Sequence, residues 1–399
     1  MKKICVVGLG YIGLPTASLL ANKGYEVLGV DILKSTVDTI NRGEIHIVEP
    51  KLDLFVQSAV KNKKLKASLT AAEADIFIIA VPTPFHEGYV PNIDYVLSAT
   101  KAIANYLKEG NIVILESTSP VGTTDKIEEL LSDHGIDTSK IYIAHCPERV
   151  LPGQIMKELV ENDRIVGGTT PAATKKTIEF YKTFVEGEVL STDARTAEMA
   201  KLTENSFRDT NIAFANELSI LCDKFNINVW ELIELTNRHP RVNILQPGAG
   251  VGGHCIAVDP WFIVHAGGKD AKMIRTAREV NTYKTEWAIE KIKNASLTFE
   301  KEHKRQATIA CMGLAFKPNI DDLRESPALY IAQQLKAEKI DMLAIEPNIN
   351  NFSEFDITNY KDALQKADII IFLVAHKEFL KLKLPKSKII IDFCGITQG

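Results

Sequence analysis

Several signals that often reveal a protein's class are missing from this sequence. Its six cysteines lie far apart and form no CxxC pair or other metal-ligand spacing, which argues against a zinc site and fits a reducing compartment such as the cytoplasm. There is no basic block of the kind that binds nucleic acid, because 47 Lys and Arg stand against 51 Asp and Glu, a net charge of -4. We therefore expect no metal and no nucleic-acid partner.

Long hydrophobic runs are also missing. No apolar stretch of about 18 residues occurs, so the sequence predicts no transmembrane helix and no membrane partner. The first residues, MKKICVVGLGYIGLPTASLLA, have the lysines and the apolar run of a secretory signal. Three regularly spaced glycines interrupt that run, however, which favours a strand, a turn and a helix of a folded domain. The predicted location is the cytoplasm.

Short apolar runs are present instead, and they alternate with helical stretches in the first half of the chain. This rhythm is typical of a parallel sheet covered by helices on both faces. From Asp193 to Phe225, apolar residues recur every three or four positions without Gly or Pro, which predicts one long helix and a mainly helical middle region. The predicted strands before it are Lys3–Val7, Glu26–Val30, Asp75–Val81, Asn111–Leu115, Ile141–Ala144 and Arg164–Val166.

Strand-like runs return near the end of the chain and predict a second doubly wound domain. A polar segment before them, Ser296–Arg305, is predicted to be a linker or loop. We expect an α/β protein with two Rossmann-like doubly wound domains, joined by a long central helix and a helical region, with domain bounds at 1–190, 191–298 and 299–399. The later predicted strands are Ala307–Met312, Ile340–Ile345, Asp368–Val374 and Lys388–Phe393.

A GxGxxG motif follows the first predicted strand. Gly8 allows a tight turn, Gly10 lets the backbone approach a pyrophosphate, and Gly13 lets the next helix pack closely. Asp31 ends the second strand 18 residues after Gly13, where a carboxylate accepts hydrogen bonds from ribose hydroxyls and repels the extra phosphate of NADP. The motif predicts an NAD site, and the alternative is a structural glycine turn beside a surface aspartate.

A second candidate site surrounds Cys255. This cysteine follows Gly252 and Gly253 and precedes Asp259 by four residues, so a substrate can approach the thiol and a carboxylate is near in sequence. A structural cysteine is more often a small buried hydrophobe within a strand-like run.

A third candidate lies on the long predicted helix. Lys201, Asn205 and Arg208 are spaced by four and three residues and share one helix face. They form either part of a site or an ordinary solvated polar stripe.

Together, these and further motifs resemble the UDP-glucose/GDP-mannose dehydrogenase family over nearly the whole chain. The resemblance implies two oxidations of a nucleotide-sugar alcohol with NAD+, a fold of two Rossmann-like domains, and a long helix that also forms a homodimer. It assigns NAD binding to 1–190, catalysis and dimerisation to 191–298, and UDP-sugar binding to 299–399. The motifs are VVGLGYIGLP, Val81–Pro84, Glu116–Thr123, Cys146–Gly153, GGHC, Phe316–Pro318 and Arg324–Pro327.

Within the family, the branch acting on UDP-N-acetylhexosamines is most similar. CPERVLPG, the segment His239–Asn243 and VGGHCIAVDPWF carry this likeness, whereas the UDP-glucose branch usually has Ser before the cysteine and Lys-Asp after it. Here His254 and Val258 depart from that pattern. The implied substrate is UDP-N-acetyl-D-mannosamine, for polysaccharide biosynthesis, with UDP-N-acetylglucosamine and UDP-glucose as alternatives.

The resemblance also implies a covalent mechanism. The thiolate of Cys255 attacks an aldehyde to give a thiohemiacetal, which is oxidised to a thioester and hydrolysed to the uronate. Because a free thiol has a pKa of about 8.5, a nearby cation is needed, and Lys201 is the implied thiolate and oxyanion partner. Asn205 is implied to hold the substrate oxygen, and water positioning and proton transfer fall to Thr118, Glu148 and Asp259.

The binding residues follow from the same resemblance. Arginines supply forked donors for the diphosphate, and Arg241 is implied to reach the site of a neighbouring subunit. Arg324 is implied to contact NAD from the second domain. The cofactor set is Gly8, Gly10, Tyr11, Ile12, Gly13, Asp31, Thr83, Thr118 and Arg324; the substrate set is Arg149, Val150, Lys201, Asn205, Arg208, His239, Arg241, Gly252, Phe316 and Lys317.

Two other classes of protein remain as alternatives. A two-electron β-hydroxyacid dehydrogenase shares the first domain and a helix lysine, but it needs neither Cys255 nor the second Rossmann-like domain. A non-enzymatic NAD-sensing protein shares the fold without the chemistry. The number of NADH molecules formed per sugar distinguishes these two classes from the dehydrogenase that the resemblance implies.

Overall fold

A computed structural model describes residues 2–253 and 255–397 of the chain. The chain forms two compact units, residues 1–203 and 204–399. Each unit has its own sheet and its own apolar core. Among the described residues, no helix is both long enough and apolar enough to cross a membrane, and no group of His, Cys, Asp and Glu could hold a metal ion.

The first unit contains an eight-stranded sheet with the order β10-β9-β8-β7-β4-β1-β2-β3. Neighbouring strands run parallel except β8 and β9, which are antiparallel. The core order, 3-2-1-4, is that of a nucleotide-binding doubly wound sheet. The strands are β1 (Lys3–Val7), β2 (Glu26–Val30), β3 (Leu65–Ser68), β4 (Ile76–Ile79), β7 (Ile112–Leu115), β8 (Tyr142–His145), β9 (Arg164–Gly168) and β10 (Val189–Asp193), with a small ribbon of β5 (Phe85–His86) and β6 (Val90–Pro91).

Alternate residues of the central strands enter two separate cores, because successive side chains of a strand point to opposite faces. Ile4 and Val6 belong to one apolar cluster, and Cys5 and Val7 to the other. Helices cover both faces, which explains why these strands are apolar throughout. The helices are α1 (Gly13–Asn22), α2 (Lys34–Asn41), α3 (Leu52–Lys61), α4 (Asp94–Ala104), α5 (Thr123–Asp133), α6 (Ile155–Glu161) and α7 (Pro171–Tyr181).

Helix α8 (Ala194–Phe225) has 32 residues, and the boundary between the units falls within it. The second unit continues with four parallel strands in the order β12-β11-β13-β14. Its remaining elements are α9 (Val229–Thr236), α10 (Asp259–Gly267), α11 (Lys272–His303), β11 (Ile309–Met312), α12 (Pro327–Ala337), β12 (Met342–Ile345), α13 (Tyr360–Lys366), β13 (Ile369–Phe372) and β14 (Ile389–Asp392).

The predicted α/β fold with two Rossmann-like domains and a long helix is confirmed, and all ten predicted strands form. The predicted linker Ser296–Arg305 is wrong for most of its length, because α11 continues to His303. Ser296 and Phe299 are buried on one side of that helix, and Phe299 stacks on His303 at 3.9 Å. Glu300, Lys301 and Glu302, between Phe299 and His303, lie on its solvent face. The three-part division at 190 and 298 stays a prediction.

Candidate active site

The glycine turn after β1 has the geometry that a pyrophosphate needs. Gly8 has a φ of +91°, and a Cβ there would lie 2.4 Å from the carbonyl oxygen of Ala80. A Cβ on Gly13 would lie 1.8 Å from the Gly8 oxygen, so α1 starts in close contact with the turn. Around Gly10 the space is open to 4 Å, which leaves the backbone accessible to a ligand. Tyr11 in the same turn is exposed. The turn fits a dinucleotide.

Asp31 closes the same site from the end of β2. Its carboxylate accepts hydrogen bonds from the backbone N–H of Leu9 at 3.1 Å and of Leu33 at 2.9 Å. These bonds fix the carboxylate beside the glycine turn while leaving it partly exposed. The position fits hydrogen bonding to the adenosine ribose, and the negative charge opposes a 2′-phosphate.

Two further predicted residues follow β4 and β7 at the same edge of the sheet. The hydroxyl of Thr83 donates to the carbonyl oxygen of Thr118 at 2.6 Å, and Ser117 accepts from the backbone N–H of Val81 at 2.9 Å. The structure therefore brings Thr83 and Thr118 together. Both lie where ligands bind in doubly wound sheets, beyond the carboxyl ends of the strands.

Glu148 follows β8 and is held by a buried ion pair. The guanidinium of Arg164 lies 2.5 Å from one carboxylate oxygen, and the backbone N–H of Arg149 donates to the other at 2.7 Å. Arg164 is only 1% exposed, and it also donates to the carbonyl of Leu159. A buried arginine thus pairs with this carboxylate and fixes its orientation.

A second carboxylate, Glu116, lies close to this pair and is fully buried. It accepts from the hydroxyl of Tyr181 at 2.6 Å and from that of Thr16 at 3.5 Å. Burial, and then the negative charge of Glu148, raise the pKa of Glu116 to about 7, although Arg164 and Tyr181 oppose the shift. Glu116 and Glu148 thus lie in contrasting environments, and sequence analysis identified only Glu148 as a candidate site residue.

Arg149 and Val150 are partly buried after Glu148. The guanidinium of Arg149 donates to the carbonyl of Asp163 at 3.2 Å, and Asn162 donates to the carbonyl of Arg149 at 3.1 Å. These contacts anchor the segment predicted to bind substrate.

In the second unit, Asn205 and Asp259 meet in the interior. The amide nitrogen of Asn205 donates to a carboxylate oxygen of Asp259 at 2.5 Å, and both side chains are buried. Asn205 comes from α8 and Asp259 begins α10, where the helix dipole favours a negative charge. Two residues predicted to be catalytic are therefore in direct contact.

Cys255 lies one turn before Asp259. Its carbonyl accepts from the backbone N–H groups of Val258 at 3.0 Å and Asp259 at 2.8 Å, so the chain turns directly into α10. Cys255 is not in a disulfide, and the residue is partly exposed. The adjacent His254 lies outside the described residues.

The other five cysteines are also in no disulfide, and four of them are buried, whereas Cys394 is partly exposed like Cys255. Burial raises the pKa of Cys5, Cys146 and Cys311 to about 12, and it also raises the pKa of Cys222 and Cys394. Their thiols stay protonated near neutral pH.

The glycines before Cys255 pack against a loop after β11. A Cβ on Gly253 would lie 2.8 Å from the ring of Phe316, and a Cβ on Gly252 would lie 2.7 Å from the Phe316 Cβ. The Gly253 N–H donates to the carbonyl of Arg324 at 3.1 Å. The guanidinium of Arg324 is bound to the Asp322 carboxylate at 2.5 to 3.0 Å. The structure thus brings Gly252, Phe316 and Arg324 together.

The remaining predicted residues are more exposed. Lys317 follows Phe316 on the surface, and Arg208 is exposed on α8. His239 and Arg241 lie in an exposed turn after α9, where the ring of His239 accepts from the Arg241 N–H at 3.3 Å. Lys201 is partly buried on α8, in the first unit.

Comparison with family models covers nearly the entire chain. Residues 2–185 match the NAD binding domain of the UDP-glucose/GDP-mannose dehydrogenase family, 195–283 match its central domain, and 310–399 match its UDP binding domain. The chain belongs to this family. It is therefore an NAD-dependent enzyme that oxidises a nucleotide sugar, and the glycine turn and Asp31 lie within the matched NAD binding domain.

Relatives of known name are similar along their whole length. UDP-N-acetyl-D-mannosamine dehydrogenase of Campylobacter jejuni is 55% identical over 98% of this chain and 99% of its own. An NDP-N-acetyl-D-galactosaminuronic acid dehydrogenase of Ralstonia solanacearum is 52% identical over 100% and 97%. The structure of UDP-D-ManNAc dehydrogenase from Pyrococcus horikoshii superimposes with a TM-score of 0.90 at 39% identity, covering 99% of this chain and 96% of that one.

Proposed function

We propose that this dehydrogenase oxidises the C6 alcohol of UDP-N-acetyl-D-mannosamine to the uronate in two steps. The observation that carries the proposal is the buried Asn205–Asp259 pair one turn after the partly exposed thiol of Cys255. Relatives at 52 to 55% identity named for N-acetylated sugars support the substrate class.

The chemistry consists of two oxidations with a covalent intermediate between them. NAD+ when bound accepts the hydride released in each oxidation. In the first, the C6 alcohol loses a hydride and a proton and becomes an aldehyde. The Cys255 sulfur then adds to the aldehyde carbon, giving a thiohemiacetal. Loss of a second hydride and proton gives a thioester, and water cleaves it to the carboxylate and the free thiol.

The chain's own groups handle the protons and the developing negative charge. We assign Lys201 to the thiolate and the oxyanion, and Asn205 to the oxygen on the reacting carbon. Asp259 accepts a hydrogen bond from the Asn205 amide, and this bond orients the amide toward the substrate. Glu148, which pairs with Arg164, is suited to take a proton from water during thioester hydrolysis, with Thr118 positioning that water.

We assign binding of the UDP-sugar to the charged and aromatic residues that the family resemblance implies. We assign the diphosphate to Arg208, Arg241 and Lys317, whose exposed cations supply charge-assisted donors. Phe316 and Gly252 form a wall for the substrate beside Cys255. Arg149, Val150 and His239 complete the proposed substrate set, and Tyr11, Ile12 and Arg324 the cofactor set.

A homodimer in the cytoplasm fits the same proposal. Phe207, Phe214 and Leu221 recur every seven residues along α8, and they are 68%, 54% and 40% exposed. A stripe of large apolar side chains on one helix face is typical of an interface. We propose that a second copy covers it, and that 191–298 forms the dimerisation and catalytic region between domains 1–190 and 299–399.

NADH formation with a panel of nucleotide sugars tests the substrate. UDP-N-acetyl-D-mannosamine should be oxidised faster than UDP-N-acetylglucosamine, UDP-glucose and GDP-mannose, with two NADH formed per sugar. A better rate with another sugar would reassign the substrate without affecting the chemistry. One NADH per sugar would instead overturn the two-step mechanism and favour a β-hydroxyacid dehydrogenase type of reaction.

A further inference from the structure

A cavity of about 260 Å³ lies in the second unit, away from Cys255. It is enclosed by the second half of α8, the start of α9, the middle of α11 and the strand β14. Three aromatic residues, Trp230, Trp287 and Phe393, line it together with polar and aliphatic side chains, and the rings of Trp287 and Phe393 are in edge contact with their centroids 6.1 Å apart. None of its lining residues belongs to the proposed catalytic, cofactor or substrate sets.

Lys284 places its amine in this cavity. The side chain comes from α11 and is only 2% exposed, yet no ion pair to it forms among the described residues. Its Nζ atom donates to the Ser219 hydroxyl at 2.7 Å and lies 3.9 Å from the centre of the Trp287 ring. A buried cation without a carboxylate partner is costly, because neither a hydroxyl nor a ring face neutralises its charge.

The other charged groups that line the cavity already have ion-pair or hydrogen-bond partners. Lys291 on α11 pairs with Asp223 on α8. Asp392 on β14 accepts hydrogen bonds from the backbone N–H groups of Cys394, Gly395 and Thr397 and from the Thr397 hydroxyl, at 2.7 to 2.9 Å.

The remaining lining residues of the cavity add no charge. The lining residues of α9 and of the segment before it are Ile227, Asn228, Val229 and Trp230, which do not titrate. Cys222 on α8 is buried, and burial raises the pKa of its thiol. Lys284 is therefore the lining cation that has no carboxylate partner among the described lining residues, and the carboxylate of a ligand would supply one.

We propose that this cavity binds a small organic monoanion, with its carboxylate on Lys284 and its apolar body against the Trp287, Trp230 and Phe393 side chains. The volume suits a body of one ring or one branched aliphatic chain and is too small for a nucleotide sugar. The proposal goes beyond the oxidation of the sugar, and a failure of either one leaves the other standing.

Protonation of Lys284 gives the site a characteristic pH dependence. Burial, and then the charge of Lys291, lower the pKa of Lys284 to about 7, against a smaller opposing effect of Asp223. A bound carboxylate favours the charged amine, so it raises this pKa. Affinity should therefore be nearly constant below about pH 7 and should fall as the pH rises, up to tenfold for each unit until the raised pKa of the complex is reached.

Benzoate is the probe, and tryptophan fluorescence excited at a wavelength where benzoate does not absorb is the readout. Wild-type protein at pH 6.5 should show a saturable change with benzoate, since two of its three tryptophans line the cavity. Benzamide, which has the same ring and no charge, should bind at least about tenfold more weakly. Equal binding of the two probes, or a response that never saturates, would overturn the proposal.

Variants at Lys284 identify the site. Lys284→Met removes the charge at similar length and should weaken benzoate at least about tenfold, whereas Lys301→Met, at an exposed position of the same helix, should change nothing. Lys284→Arg should keep binding at pH 8.5, where the wild type has weakened, because arginine stays charged. Retained binding by Lys284→Arg at pH 8.5 also tests the proposal if Lys284→Met folds poorly. Unaltered binding in all variants, or displacement of benzoate by UDP, would contradict the proposal.

Discussion

Cys255 differs chemically from the other five cysteines, and this difference defines the most direct test of the covalent mechanism. We expect Cys255→Ser to bind NAD+ and UDP-sugar normally, because neither the glycine turn nor the arginines involve the sulfur. Uronate formation should fall by about 10³-fold or more, since a hydroxyl is not ionised near neutral pH. Calorimetric binding and steady-state NADH formation measure the two effects. Uronate production near the wild-type rate would remove the thioester from the mechanism.

The contacts of Asp31 predict an effect on cofactor choice. Asp31→Ala removes the acceptor for the ribose hydroxyls and also the bonds to the Leu9 and Leu33 backbone. We expect the preference for NAD+ over NADP+ in kcat/KM to drop by about tenfold or more. Asp38→Ala, on the exposed face of α2, is the control. An unchanged preference in Asp31→Ala would exclude this carboxylate from the cofactor site.

Glu116 should make stability depend on pH. Its pKa is raised to about 7 in the folded protein, from 4.5 in the unfolded chain, so the folded state holds an extra proton between these values. The free energy of unfolding therefore contains a contribution that is present below pH 4.5, declines as the pH rises, and is lost by about pH 7. Its size is of the order of 3 kcal/mol.

Urea unfolding of Glu116→Gln at several pH values measures this contribution. Glutamine has no carboxyl group to ionise, so the stability of the variant should decline less than that of the wild type between pH 5 and 8. Glu302→Gln, at an exposed position on α11, should behave as the wild type. Parallel pH curves for Glu116→Gln and the wild type would refute the assignment.

The buried contacts of Glu116 and Arg164 are examples of what the sequence does not reveal about single residues. Glu148 is recognisable because it follows a strand within a motif. Arg164 begins a strand, where a charged residue normally faces solvent, and its burial results from pairing with a carboxylate 16 residues earlier. Glu116 and Tyr181 are 65 residues apart and meet only in the fold. Such pairings carry no local pattern.

Among the elements, α8 offers a test of the proposed dimer. Phe214→Glu places a charge in the middle of the apolar stripe, and in a twofold interface both copies carry it. We expect dimer dissociation to become at least about tenfold easier, as measured by sedimentation velocity over a range of concentrations. Met273→Glu, a change at a 73% exposed position on α11, is the control. A wild-type protein that sediments as a monomer would contradict the dimer itself.

The strands and helices that were predicted correctly are those with a strong local pattern. Strands β1 and β2 were predicted to the residue, because four or five consecutive apolar positions mark a strand buried on both faces. Strand β10, Val189–Asp193, was missed, because it lies at the sheet edge and its residues are partly or fully exposed. The end of α11 was mistaken for a linker because buried Ser296 and Phe299 are separated by solvent-facing residues.

At the scale of the whole molecule, the two units should respond to different ligands. The family models assign NAD binding to residues 2–185 and UDP binding to 310–399. NAD+ at 100 times its Kd should stabilise the first unit by about 2.7 kcal/mol, and UDP should do the same for the second. Hydrogen exchange of amides in β1 and β4, compared with β11 and β13, measures each effect. Protection of β11 and β13 alone by NAD+ would contradict the assignment.

The raised pKa values of five thiols also make the protein convenient for chemical labelling. A maleimide dye or photo-cross-linker added to the native protein at neutral pH should attach at Cys255, because the other thiols are protonated and four of them are buried. No cysteine-free background has to be engineered first. A reporter group can thus be installed beside the substrate in one step, and the same selectivity offers a starting point for covalent inhibitors.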